Sequence, residues 1–552
     1  MSAASTAHYG AGGAPRAKQS TAHSLTLLQI AIVLIAGCFH AASMAWPFAV
    51  GSLVGLVQGQ PAGGLQLLAL ALLAGQLDGA RSWQRGAWLG SLFATTMMCA
   101  TFWWLFISLH TYGGLAAPLT VVAIVLLSAL LGLYYAAAAG LFVAFAPARP
   151  ALRALVFAAL WLLAELARVR LLTGFPWGEG GYAHVDGWAR PLAAWVGVHG
   201  LTFMAAWVAA WLAFCVLAPK TRWVSAASLV VLSGALAWLP VFNVSDVETD
   251  PALVKPMSVT LLQGNIAQDE KFVGGTGVIS ALRWYGEQLG EAKTALVVAP
   301  ETALPLLPQQ LPEGYWDALQ ARFATGTQAA LIGLPLGDYN TGYSNSVLGF
   351  KPALPSASGL IDPQALPETY RYDKHHLVPF GEVIPPGFHW FIKLMNIPLG
   401  DFNRGAVGQP SFDWQGQRLA PNICYEDLFG EELGARFVDA ATAPTIFVNV
   451  SNIGWFGNTV AIDQHLQISR MRSLEFGRPM IRATNTGATV IINPRGQVTH
   501  ALPRYTRGAL VGDVQGRSGI TPYAWWVGRF GLWPLWALGL VIALGAVLGR
   551  RR

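Results

Sequence analysis

Two stretches of this sequence are too long and too apolar to fold in water. No Asp, Glu, Lys or Arg occurs between residues 19 and 77, or between residues 86 and 148. A helix needs only about 20 apolar residues to cross a bilayer, so both stretches predict membrane-spanning helices. Only 12% of all residues are charged, about half the fraction that is usual in soluble domains. The hydropathy pattern predicts eight spans, at about residues 25–42, 63–77, 87–109, 117–145, 151–167, 191–217, 223–241 and 530–549.

The remaining charge divides the chain into parts of different character. The pattern predicts a disordered tail over residues 1–22, a membrane domain with seven spans over 23–242, an α/β domain over 250–518, a last transmembrane segment over 525–549 and a basic tail over 550–552.

Basic residues indicate how the chain is oriented in the membrane. Arg81, Arg149, Lys220 and Arg550 each follow an even-numbered predicted span. By the positive-inside rule, both termini are then cytoplasmic and the α/β domain lies outside. We therefore expect a multi-pass protein of a bacterial inner membrane with a periplasmic domain. The net charge of +6 mostly reflects these basic residues, and no basic-aromatic surface predicts a nucleic-acid partner.

The pattern changes after residue 250. Short runs rich in β-branched residues read as strands, and helical patterns at 279–289 and 462–475 lie between them. Strands that alternate with helices favour a layered α/β fold. The domain has no metal-ligand spacing and no phosphate-binding glycine loop, so we predict neither a metal nor a cofactor. The predicted strands are 259–262, 295–299, 329–334, 346–350, 445–450 and 488–493.

Cys424 is the cysteine that bears on function. The other three, Cys38, Cys99 and Cys215, lie in apolar runs, so Cys424 has no disulfide partner in its own domain. It is either a small buried apolar residue or a reactive thiol.

Two charged residues favour the reactive thiol. Glu301, Lys374 and Cys424 each follow an apolar, strand-like run, and strand ends tend to meet at one edge of a sheet. A carboxylate can take the proton of a thiol that attacks a carbonyl carbon. An ammonium can favour the thiolate and stabilise the resulting oxyanion. The three residues together predict acyl transfer through a cysteine.

A family resemblance joins these residues. The segments Pro300–Pro305, Tyr372–Glu382 and Asn422–Glu426 resemble the three signature segments of the nitrilase superfamily, and in detail those of its membrane enzymes, the apolipoprotein N-acyltransferases. The stretches 171–177, 449–457, 464–479 and 482–487 resemble the same family.

The resemblance implies an α-β-β-α sandwich for the extracytoplasmic domain, beside a multi-span helical membrane domain. It implies Glu301, Lys374 and Cys424 as the catalytic triad, with Glu382 as an assisting glutamate. It also implies a phospholipid donor, expected to be phosphatidylethanolamine, and a diacylglyceryl apolipoprotein acceptor. The acyl chain would pass from the sn-1 position to the acceptor α-amino group through a thioester, with no cofactor and on a monomer. The resemblance also implies that four further residues bind substrate: Glu426, Tyr425, Asn345 and Trp455.

The sequence departs from the family pattern at two positions. Ile453 stands where the family usually has an aspartate, and Ala299 where a tryptophan is common.

Two other functions remain open. A membrane-anchored amidase of the nitrilase type would use the same triad to hydrolyse a small amide, but it would need at most one anchor. A transporter or lipid-binding scaffold with a degenerate outer domain is the non-enzymatic alternative, and the intact triad argues against it.

Overall fold

The computed structural model describes residues 26–171, 174–216, 255–352, 366–385 and 402–550, together with residues 227 and 387. The predicted tail over 1–22, the predicted span at 223–241 (except residue 227) and residues 551–552 lie outside the described residues.

The part up to residue 216, called here the membrane half, is helical. Local signals set several helix starts: the Thr26 hydroxyl accepts from the backbone N–H of Gln29, and one helix begins at Pro150, where the missing N–H of proline costs nothing. The helices are α1 Leu27–Met44, α2 Gly63–Asp78, α3 Trp83–Phe102, α4 Ala117–Phe145, α5 Pro150–Arg170 and α6 Ala193–Trp211, with π-helical turns at Ile107–Tyr112 and Leu212–Val216 and short 3₁₀ turns at Ser52–Val54, Gly180–His184 and Arg190–Leu192.

Membrane character is confirmed at a coarser level than predicted. In the described part of the chain, four helical segments are long and apolar enough to cross a membrane: 27–44, 117–145, 150–170 and 190–215. A bent pair, 522–530 with 533–549, would make a fifth. The count of eight spans stays a prediction.

The second half contains two six-stranded sheets that face each other. The first sheet has the order β12-β1-β2-β3-β4-β5 and the second the order β11-β10-β9-β8-β7-β6. Within them, β1, β2 and β3 are parallel, as are β7, β8 and β9. The strands are β1 Met257–Gln263, β2 Leu296–Ala299, β3 Ala329–Asp338, β4 Gly342–Lys351, β5 Glu368–Asp373, β6 Phe412–Trp414, β7 Gln417–Ile423, β8 Ile446–Ser451, β9 Met480–Thr484, β10 Val490–Ile492, β11 Val498–Ala501 and β12 Gly508–Val514.

An apolar core fills the space between the sheets, and helices cover their outer faces. Val259, Val298, Leu419 and Val448 contribute to the inner core and are fully buried. This arrangement confirms the predicted α-β-β-α sandwich. Helices α7 Gly277–Glu291 and α8 Tyr315–Ala324 cover the first sheet, and the short α9 Gly430–Gly434, α10 Val460–Phe476 and α11 Pro522–Phe530 lie on the second, before α12 Trp533–Arg550.

The membrane half completes the outer layer of the second sheet. Leu166 and Val169 of α5 pack in one cluster with Phe447 of β8 and Phe476 of α10. The end of α5 therefore lies directly against the sandwich.

Candidate active site

The three residues of the predicted triad follow three different strands and converge. Glu301 comes two residues after β2, Lys374 directly after β5 and Cys424 directly after β7. The Lys374 ammonium lies 3.3 Å from Oε1 of Glu301. Both charges act on the Cys424 thiol. The three residues that the sequence singled out therefore form one cluster.

Glu301 is held as an ionised carboxylate. Its Oε1 accepts from Asn345 Nδ2 at 2.7 Å as well as from Lys374, and its Oε2 accepts from the backbone N–H of Asn452 at 2.7 Å. Burial alone would raise the pKa of Glu301, but the Lys374 ammonium and these donors bring that pKa below its usual value. The carboxylate is therefore available as a base near neutral pH.

Lys374 is a buried cation shared by two carboxylates. It is 1% exposed, and its Nζ lies 2.9 Å from Oε1 of Glu382. Burial would lower the pKa of Lys374, but Glu301 and Glu382 together raise it. The other Glu382 oxygen accepts from the backbone N–H of Val378 at 2.9 Å. Glu382 therefore holds the ammonium between the two carboxylates.

Cys424 stands at a sharp change of direction where β7 enters a 3₁₀ turn. Its φ of 53° is in the left-handed region that residues other than glycine rarely adopt. Burial and the Glu301 carboxylate raise the pKa of the thiol to about 12, and Lys374 offsets only part of this. The ammonium favours the thiolate, as expected from the sequence, but burial and Glu301 outweigh its effect on the pKa of the thiol. The thiol must lose its proton to Glu301 as it attacks.

A second buried lysine, Lys271, was missed by the sequence analysis. It is 1% exposed, and its Nζ donates to the backbone carbonyl of Glu301 at 3.1 Å. Burial lowers the pKa of Lys271 to about 7, although Glu301 and Cys424 oppose that shift. Its sequence context, the polar run Gln268–Lys271, reads as an exposed turn. Nothing local to that run signals burial.

Glu426, predicted to contact substrate, is saturated by protein donors. It accepts from the backbone N–H groups of Ile423, His375 and His376 and from the Tyr372 hydroxyl, at 2.6–3.2 Å. These bonds tie the turn after Cys424 to the segment that carries Lys374. The geometry therefore assigns Glu426 to holding two triad residues in register.

Two other predicted binding residues, Tyr425 and Trp455, lie where the two halves of the molecule meet. The Tyr425 hydroxyl donates to the carbonyl of Gly174 at 3.4 Å. The Trp455 carbonyl accepts from the Ser108 hydroxyl at 2.7 Å, and the Trp455 ring packs edge-on against Tyr112. In this way, turns of the membrane half form part of the wall beside the triad.

The last two residues that the sequence singled out are Asn345, a predicted binding residue, and Ile453, a departure from the family pattern. Asn345 donates to both Glu301 and Glu382 at 2.7 Å. Its Oδ1 is buried without a hydrogen-bond partner among the described residues, so this amide oxygen can still accept a hydrogen bond. Ile453 is buried in the apolar cluster of the membrane half, where an aspartate would be costly to bury.

The cluster can perform nucleophilic acyl transfer. It contains a thiol, an ionised carboxylate that can take its proton, and a fixed ammonium that can hold an oxyanion. Among the described residues, no three His, Cys, Asp or Glu side chains are placed to hold a metal ion.

Comparison with known proteins covers both halves of the chain. Residues 51–211 match the family model of the apolipoprotein N-acyltransferase N-terminal domain, and residues 258–523 match that of the carbon-nitrogen hydrolases. The apolipoprotein N-acyltransferase of Verminephrobacter eiseniae is 56% identical, over 91% of this chain and 93% of the relative. That of Ralstonia nicotianae is 44% identical, over 88% and 90%.

Among solved structures, an amidase of the nitrilase superfamily from Nesterenkonia AN1 aligns with a TM-score of 0.33 at 17% identity, over 49% of this chain and 92% of the amidase. The full-length relatives bear out the resemblance that the sequence motifs indicated. The chain belongs to the apolipoprotein N-acyltransferase family.

Proposed function

We propose that this acyltransferase moves a fatty acyl chain from the sn-1 position of a phospholipid to the α-amino group of an N-terminal S-diacylglyceryl cysteine of an apolipoprotein. The observation that carries the proposal is the Glu301–Lys374–Cys424 cluster, seated where a sandwich meets apolar helices. A hydrolase of soluble amides has no need of that junction, and no observation favours the amidase alternative.

In the first half-reaction, Cys424 takes the acyl group. Glu301 accepts the thiol proton as the sulfur attacks the ester carbonyl carbon. The negative charge on the carbonyl oxygen is stabilised by the Lys374 ammonium. When the intermediate collapses, the bond to the glycerol oxygen breaks and protonated Glu301 returns its proton to that oxygen. The products are a thioester on Cys424 and a lysophospholipid.

In the second half-reaction, the neutral α-amine of the acceptor attacks the thioester carbonyl carbon. Glu301 takes a proton from the attacking nitrogen, and the carbon–sulfur bond breaks. The proton then returns to the sulfur, which regenerates the thiol and leaves an amide on the acceptor. Lys374 stabilises the oxyanion in both halves, so one cluster serves both substrates in turn.

The membrane placement follows the same proposal. We place the protein in the bacterial inner membrane, with the sandwich on the periplasmic side and phosphatidylethanolamine as donor. Helix α11 bends by 86° from α12, and Trp525, Phe530 and Trp533 are at least half exposed. Exposed aromatic residues at such a bend suit the membrane–water interface, which would bring the site to the level of the lipid ester.

Intact-mass measurement tests the proposal. The purified protein, incubated with phosphatidylethanolamine vesicles, should gain the mass of a fatty acyl group on Cys424, and hydroxylamine should remove it. Adding a diacylglyceryl-cysteine peptide should move the mass to the peptide. Cys424→Ala should abolish both steps, whereas Cys38→Ala, in the first helix, should retain them. Transfer to the peptide by the Cys424→Ala variant would overturn the mechanism.

A further inference from the structure

A buried polar network lies behind the nucleophile and takes no part in the chemistry described so far. Asp427, His465 and Arg482 form it, and each is at most 1% exposed. His465 Nε2 lies 2.9 Å from Oδ1 of Asp427. Arg482 lies 2.7 Å from the Ser469 hydroxyl, which itself donates to Asp427. The network therefore pairs a carboxylate with a guanidinium through one imidazole and one hydroxyl.

The network fixes which nitrogen of His465 carries the hydrogen. Arg482 lies 2.9 Å from Nδ1 of His465, and a guanidinium can only donate. Nδ1 must therefore accept, and the ring hydrogen lies on Nε2. Nε2 in turn faces two acceptors, the Asp427 carboxylate and the backbone carbonyl of Cys424 at 3.2 Å.

Two side chains therefore hold the Cys424 carbonyl in place. It accepts from His465 Nε2 and from Asn449 Nδ2 at 3.4 Å. A trans peptide points its N–H away from its C=O, so fixing this carbonyl also fixes the direction of the Tyr425 N–H beside the sulfur. The left-handed φ of Cys424 needs such support, because this conformation is disfavoured for a residue with a Cβ.

Helix α10, which carries His465, also contacts the membrane half. Trp177, in the loop between α5 and α6, stacks on the His465 ring with centroids 5.5 Å apart. The indole N–H groups of Trp177 and Trp104 both donate to Oε1 of the neighbouring Gln464, at 2.8 and 3.0 Å. Two tryptophans of the membrane half therefore hold the pair of residues that orients the nucleophile turn.

From this geometry we infer that His465 is a positioning residue. Oriented by Asp427 and Arg482 and stacked under Trp177, it holds the peptide plane after Cys424 in the reactive orientation. It makes that orientation depend on docking of the α5–α6 loop. The inference rests on the proposed role of Cys424 as the nucleophile.

Two substitutions at His465 separate its hydrogen bond from its bulk. His465→Phe keeps a ring for Trp177 but removes both ring nitrogens, whereas His465→Gln keeps an N–H donor of similar reach. We expect His465→Phe to slow acylation of Cys424 by phosphatidylethanolamine vesicles about 100-fold, the usual cost of misplacing reacting groups by about 1 Å, with KM for phospholipid unchanged. His465→Gln should recover at least tenfold of that loss. Trp177→Ala should slow the same step.

The control is His500→Phe, on the exposed strand β11, which should acylate at the wild-type rate. Acylation by His465→Phe at the wild-type rate overturns the inference. So does an equal loss of rate in His465→Phe and His465→Gln together with an equal fall in melting temperature, because that pattern marks a merely structural residue. If His465→Phe does not fold, a wild-type acylation rate in Trp177→Ala overturns it. Absence of an acyl adduct on the wild-type protein would instead overturn the proposed function.

Discussion

At the scale of single residues, the site separates the proton affinities of two neighbouring groups. Burial and a nearby carboxylate raise the pKa of the Cys424 thiol to about 12. The pKa of Glu301 is lowered, because Lys374, Asn345 and other donors outweigh its burial. The proton therefore rests on sulfur until a carbonyl carbon arrives. Such a thiol is a poor nucleophile at rest, which protects it from side reactions between turnovers.

Lys271 should help to keep Glu301 ionised. Burial lowers the pKa of Lys271 to about 7, so the ammonium is charged in the acidic range where Glu301 titrates. Replacing it with Met removes one of the cations that lower the pKa of Glu301. A base acts only when ionised, so the acid limb of the Cys424 acylation rate should move to higher pH in Lys271→Met. The rate at low pH should fall several-fold. Mass spectrometry of samples quenched at fixed times over a pH series measures this acylation rate.

Lys293→Met is the matched control, because Lys293 is an exposed lysine just before β2 and its loss changes the net charge by the same amount. Its pH profile should coincide with that of the wild type. Coincidence of the Lys271→Met profile with both would show that Lys271 does not act on Glu301.

The sequence predicted the charged residues of the site better than it predicted their partners. Glu301, Lys374 and Cys424 could be found because each ends a strand-like run within a specific motif. Lys271 could not, since its buried hydrogen-bond acceptor, the Glu301 carbonyl, lies 30 residues away in the sequence. Glu426 was found by its motif, but three of its four donors come from a segment 50–54 residues away, and no local pattern reveals them.

At the scale of elements, a kink in α6 joins the two halves of the molecule. Gly197 has φ 67° inside the helix. The backbone N–H of Val198, next to it, donates to Oε1 of Glu475 at 2.7 Å. A Cβ on Gly197 would lie 2.2 Å from the ring of Tyr523. The position thus needs glycine for its left-handed backbone and for the close approach of α11.

Gly197→Ala should destabilise the protein. A backbone with φ 67° and ψ −177° costs an alanine about 1–3 kcal/mol, and moving the Tyr523 ring adds a similar overpacking cost. We expect a total loss of roughly 2–4 kcal/mol, seen as a lower melting temperature by intrinsic fluorescence in detergent. Gly75→Ala in α2 is the control, since a Cβ there meets nothing within 4 Å, and it should melt at or slightly above the wild-type temperature. Equal melting temperatures for the two variants would contradict this account.

The sequence predicted the apolar elements closely and missed those that depend on distant neighbours. The predicted strand at 259–262 lies within β1 Met257–Gln263, and the predicted helix at 462–475 lies within α10 Val460–Phe476. Strand β11 was missed because all four of its residues are exposed, so it has no apolar signal. The kink at Gly197 was missed because its causes, Glu475 and Tyr523, lie more than 250 residues along the chain.

At the scale of the whole molecule, the sandwich and the membrane half share one packed boundary. The end of α5 packs against β8 and α10, and Arg470 of α10 pairs with Asp186 of the α5–α6 loop. Gln464 and His465 of α10 connect this boundary to the turn that carries Cys424. The apolar runs predicted two regions of different character, but this boundary follows from long-range contacts that have no local periodicity.

This boundary fixes which end of α5 lies on the side of the sandwich. Helix α5 has 21 residues, so its ends lie about 30 Å apart, which is the thickness of the hydrocarbon core. Its C-terminal end packs on the sandwich, whereas Arg149 precedes its N-terminal end and is exposed. If α5 crosses the bilayer, Arg149 and the sandwich must lie on opposite sides.

Cysteine labelling measures the two sides directly. In a Cys38→Ala, Cys99→Ala background, Glu313→Cys places a thiol on an exposed turn of the sandwich, and Arg149→Cys places one at the far end of α5. In spheroplasts, a membrane-impermeant maleimide should label Glu313→Cys within minutes and leave Arg149→Cys unlabelled. Lysis of the spheroplasts should make Arg149→Cys react at a similar rate. Labelling of Arg149→Cys before lysis, with Glu313→Cys protected, would reverse the orientation and place the triad in the cytoplasm, where the periplasmic acceptor that we propose could not reach it.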